Sequence, residues 1–148
     1  VFESLKEIPA AARWLGFSGL IPFVGAAVGV VAGEPALQEF SLRTLLGYGA
    51  VILSFLGGVR WGLAITKTDS TALLMPLTIS VAPSLLGWVA LLLPPASGLL
   101  TLAIGLAAML IADTRLPQAP HWYRVLRFPL SVGAISALIV GLTVLEQR

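Results

Sequence analysis

The chain has 148 residues, of which 57% are hydrophobic and only 11% charged. A soluble domain carries about 25% charged residues, and a chain of this size exposes much of its surface, so that surface must face lipid. The net charge is +2, there is no cysteine and there is one histidine, His121. These counts exclude a disulfide framework, an iron–sulfur cluster, a thiolate metal site and bis-histidine haem ligation within one chain, and no cofactor or metal is expected.

The chain opens on Val1 rather than Met, with no signal-peptide pattern, so a processed or truncated start is expected. Ser4 and Glu7 have capping-box spacing, but Pro9 follows too soon for a long helix there and fits the first turn of the next one. Trp14 to Gly33 carries no charge and is one bilayer crossing long. It holds the ladder Gly25, Gly29, Gly33 and a bend at Pro22, giving a first helix over 10–33. Ser41 is placed to cap a second helix over 41–66, closed by Lys67 and Asp69. Between Asp69 and Asp113 nothing is charged. As one helix that stretch would be about 65 Å long, twice a bilayer core. It is therefore read as two helices, 71–93 with Pro76 and Pro83 inside and 97–113, divided at Pro94-Pro95. A last helix over 122–145 presents Gly133, Ala137 and Gly141 on one face. The expected fold is all-α: residues 1–148 as a single transmembrane domain of five helices, with no internal repeat.

Lys6, Arg13, Arg60, Lys67, Arg115, Arg124 and Arg127 gather toward one side, against Arg43 and Arg148 on the other. That bias places the N-terminus inside and the C-terminus outside. Trp14, Trp61, Trp122 and Tyr123 fall toward the inner interface, as aromatic belts do.

Three blocks stand out: Ile8-Pro9 through Arg13-Trp14-Leu15-Gly16, then Gly19-Leu20-Ile21-Pro22-Phe23, then Ser54-Phe55-Leu56-Gly57-Gly58-Val59-Arg60-Trp61-Gly62. With Pro83-Ser84-Leu85-Leu86-Gly87-Trp88 and Trp122-Tyr123-Arg124-Val125-Leu126-Arg127, they resemble a family of small polytopic membrane proteins of unknown function. That family has bacterial members and includes the mitochondrial transmembrane protein 69 of animals. The resemblance implies a bacterial inner membrane, or the mitochondrial inner membrane in a eukaryote. It implies no activity and carries over no catalytic residue.

Arg60 is the one charge well inside an apolar helical run. On insertion scales a charge at a helix centre costs about 2.5–3.5 kcal/mol. Three roles fit it: snorkelling to the interface, a buried pair with Asp113, or part of a transport relay, for which arginine is a poor titrating group. Its own helix offers no carboxylate one turn away; Leu56, Gly57, Leu63 and Ala64 hold those positions. Asp113 is the acid at the inner end of another helix. Ser54, Gly57, Gly58 and Gly62 are the expected helix-packing motif, and Arg13, Arg115, Arg124 and Arg127 the expected contacts to an anionic lipid headgroup such as cardiolipin. Gly16-Phe17-Ser18-Gly19 is similar to the Gly-x-Ser-Gly of rhomboid proteases. However, His121 follows Pro120 in a loop and no oxyanion donors are legible, so Ser18 is expected to bond a helix carbonyl.

The leading expectation is a non-catalytic accessory or assembly subunit of a larger inner-membrane complex. Its partners would be membrane lipids and other membrane subunits or a second copy, not nucleic acid, since topology alone accounts for the basic bias. The alternative is a small-solute or ion transporter or channel with a cavity near Arg60 and Asp113. An enzyme ranks last.

Overall fold

The computed structural model describes residues 8–66, 72–116 and 119–147, and these are helical with no strand among them. The capping spacing of Ser4 and Glu7 and the loop at Lys67 and Asp69 lie outside those residues. The helices are α1 (Ala10–Ser18), α2 (Ile21–Ala32), α3 (Pro35–Ile65), α4 (Leu74–Leu92), α5 (Pro95–Thr114) and α6 (His121–Glu146). Taken with α1 and α2 as one crossing, Ala10–Ala32, five helices among the described residues are long and apolar enough to span a membrane.

The first crossing is broken rather than bent. Pro22 has no N–H to give the Ser18 carbonyl, and its ring blocks that oxygen. The chain therefore turns at Gly19-Leu20, where Gly19 N–H donates to the Leu15 and Gly16 carbonyls at 3.1 Å and Leu20 N–H to that of Phe17 at 3.0 Å. Helix α2 then restarts with Pro22 in its first turn.

Helix α3 begins at Pro35, not at Ser41 as expected from the sequence. Proline suits a first helical position, where its missing N–H would be unsatisfied anyway. Arg43 and Glu39 form an i,i+4 ion pair on the exposed helix surface. Ser41 caps nothing; it is 3% exposed and packs at Gly29, where an added Cβ would collide with the Ser41 hydroxyl. At 31 residues, α3 is about 46 Å long and overruns a bilayer core of about 30 Å.

That long helix is the hub of the bundle. Against α2 it packs Tyr48 edge-on to Phe23, ring centroids 4.9 Å apart. Facing α4, Ser54 shares a 2.9 Å hydroxyl bond with Ser84. Toward α5 and α6 it presents Gly49 to Leu102 and Leu45 to Gly141. The sealed centre is Phe23, Leu45, Leu53, Leu99, Leu102, Leu106 and Leu138, all buried. The outside stays apolar: Leu74 is 81% exposed, Trp14 74% and Phe55 64%. In water that surface would be a large aggregation-prone patch; against acyl chains it is the matching solvent.

Candidate functional site, a buried arginine and aspartate cluster

Asp113 stands in the last turn of α5 and is 1% exposed. A carboxylate so buried needs full compensation. Its Oδ1 accepts from Arg60 Nη1 of α3 at 3.0 Å. Its Oδ2 accepts from Arg127 Nε of α6 at 3.0 Å and, more weakly, from the Tyr123 hydroxyl at 3.3 Å. One acid thus ties together three helices that contribute separate charges. Both guanidinium bonds are charge-assisted, the stronger class of hydrogen bond. Two arginines against one aspartate leave the cluster with a formal excess of one positive charge.

The four arginines expected at a lipid headgroup do not form one outward set. Arg127 turns into the bundle, with a side chain 8% exposed. Arg124 spends its Nη2 on the Leu116 carbonyl at 2.8 Å, tying down the chain after α5. Arg115 is exposed at the end of α5, and Arg13 is half-buried on α1. From the sequence, Arg127 is expected at a lipid headgroup rather than at Asp113, and neither Tyr123 nor Ser131 is among the expected site residues. The signal was present: Tyr123, Arg127 and Ser131 recur every four residues and so share one face of an otherwise apolar helix.

The packing motif also needs correction. At Gly57 a Cβ would run into the Ser80 carbonyl oxygen and sit 3.4 Å from Pro83, so this glycine lets α3 and α4 touch backbone to backbone. Ser54 lies on the same seam through Ser84. Gly58 and Gly62 do not, since a Cβ at either meets nothing within 4 Å. One residue is about 100° of helix, which turns Gly58 off the face that Gly57 presents to α4. Helix α2 behaves likewise: Gly29 packs, whereas Gly25 is open. Ser18 donates to the Leu15 carbonyl at 2.9 Å, a bond within its own helix.

Beside the cluster lies a cavity of about 330 Å³, walled by apolar residues of α1, α2, α3, α5 and α6, with Arg127 and Ser131 among its lining. It adjoins Arg127; neither Arg60 nor Asp113 lines it.

A family model described as protein of unknown function (DUF3429) matches residues 8–143. Transmembrane protein 69 of Xenopus tropicalis is 40% identical over 146 residues, covering 95% of this chain and 56% of that protein. Transmembrane protein 69 of Mus musculus is 30% identical over 142 residues, covering 93% of this chain and 58% of that protein. The chain thus spans little more than half the length of these relatives. No solved structure matches. On a match that runs through all five crossings and every residue of the Asp113 cluster, the chain belongs to this multi-pass membrane family of unknown function, DUF3429, alongside transmembrane protein 69.

Proposed function

We propose that the protein is a non-catalytic component of an inner membrane that docks against other transmembrane helices, as an accessory or assembly subunit. The carrying observation is Gly58 and Gly62, four residues apart on α3 and open on the side away from α4. Small residues at that spacing let a second helix approach to backbone contact. Among the described residues, nothing of the chain itself uses them. A transporter would need its charged centre reachable from water. Asp113 instead has both oxygens occupied and 1% of its surface exposed.

Gly58→Leu and Gly62→Leu test the reading. Each should leave thermal melting in detergent unchanged, because the added side chain meets open space. Each should strip partners that co-purify with the unaltered protein from native membranes in mild detergent. Retention of the same partners by both variants would end the proposal.

Inner-membrane residence, bacterial or mitochondrial, rests on the family resemblance. The inside placement of the N-terminus rests on the Lys and Arg asymmetry. The absence of native cysteine makes the topology easy to check. Cysteine introduced at Glu34 should be labelled from outside, and at Arg115 only after permeabilisation. Labelling of both from one face would refute the five-crossing path.

A further inference from the structure

Arg127 and Ser131, which line the cavity, each carry a buried polar atom that the fold does not use. Arg127 is 6% exposed and Ser131 2% exposed. Among the described residues, Arg127 Nη2 and Ser131 Oγ have no hydrogen-bond partner. Leaving a buried donor unpaired costs the desolvation of that group, more for a charged one. Both residues line the cavity, one turn apart on α6. The rest of the wall is almost wholly apolar.

We propose that this cavity binds one anionic phospholipid of the surrounding membrane. Its phosphate oxygens accept from Arg127 Nη2 and the Ser131 hydroxyl, and one acyl chain lies in the apolar trough. Charge complementarity argues for the anion, because the two arginines exceed the one aspartate. The shape argues for the chain. The cavity runs along α6 from Trp122 to Ala134, about 18 Å of helix rise. Leu15 and Phe55 on its rim are exposed to lipid, which gives an acyl chain lateral entry. A small aqueous anion would find the donors but waste the trough; a neutral lipid would fill the trough and leave the charge unanswered. The site is independent of the subunit reading, since Gly58 and Gly62 take no part in it.

The test is native mass spectrometry of the purified full chain with phosphatidylglycerol, phosphatidylcholine or oleate, each added alone. One phosphatidylglycerol should be retained per chain, with phosphatidylcholine and oleate retained more weakly. Ser131→Ala should weaken phosphatidylglycerol about five-fold, the worth of one hydrogen bond. Ala12→Phe, which adds bulk at the cavity wall on α1, should weaken it about ten-fold or more by excluding the chain. Lipid-free melting of both variants checks that the fold persists; if Ala12→Phe fails to fold, Ser131→Ala decides. Equal retention of phosphatidylcholine would overturn the charge argument. Preferential retention of oleate would make the occupant a fatty-acid anion and overturn the phospholipid. Undiminished binding in the folded variants would place the lipid elsewhere and overturn the site.

Discussion

Asp113→Leu is expected to lower stability by about 3–5 kcal/mol, because it strands Arg60 and Arg127 as buried, uncompensated charges. The single arginine changes should be milder. After Arg60→Leu, Asp113 still has Arg127 at 3.0 Å, and the cluster becomes a neutral pair. The loss is then that of one charge-assisted bond, about 1.5–3 kcal/mol, at the low end because the Arg60 side chain keeps 14% of its exposure. Combining Asp113→Leu with Arg127→Leu should recover part of the Asp113 loss, since the deeper stranded charge is gone. The measurement is resistance to denaturing detergent across single and double variants. If Asp113→Leu costs no more than Arg60→Leu and the effects simply add, the three side chains do not act as a unit.

The second arginine also changes what the sequence could have told. Elimination among the acids leaves Asp113 facing Arg60, and the structure places the two 3.0 Å apart. Charge-free length against bilayer thickness is a rigid constraint, and it makes the five crossings readable from Trp14 to Leu145. Arg127 escapes the same logic because basic and aromatic residues at a helix start ordinarily anchor an interface. Whether such a face turns to lipid or to protein depends on the neighbouring helix, which no local pattern specifies. The start of α3 was hidden for a related reason. Ser41 has the side chain of an N-cap, yet it lies inside the helix that Pro35 starts and packs at Gly29 of α2. Pro22 announced a disturbance, but its result depended on the adjacent Gly19-Leu20 being able to turn.

Adjacent glycines give the sharpest contrast. Spacing identifies a small-residue ladder on α3, yet Gly57 and Gly58 differ by about 100° around the helix and cannot both face α4. The partner decides between them. Pro83 of α4 has no N–H and is itself buried, and the Ser80 carbonyl lies against Gly57. A methyl group there meets backbone, which cannot rotate aside as a side chain can. Gly57→Ala should therefore push α3 and α4 apart and cost about 1–3 kcal/mol, with Gly57→Leu worse. The separation should also lengthen the Ser54–Ser84 bond, now 2.9 Å, one turn away. Gly58→Ala, one residue on, should be neutral or slightly stabilising, since alanine is the better helix former by about 1 kcal/mol and no atom stands in its way. Parallel melting curves of the two alanine variants in one detergent make the comparison. Equal destabilisation, or a larger effect at Gly58, would mean that α3 is rotated so as to turn Gly58 toward α4.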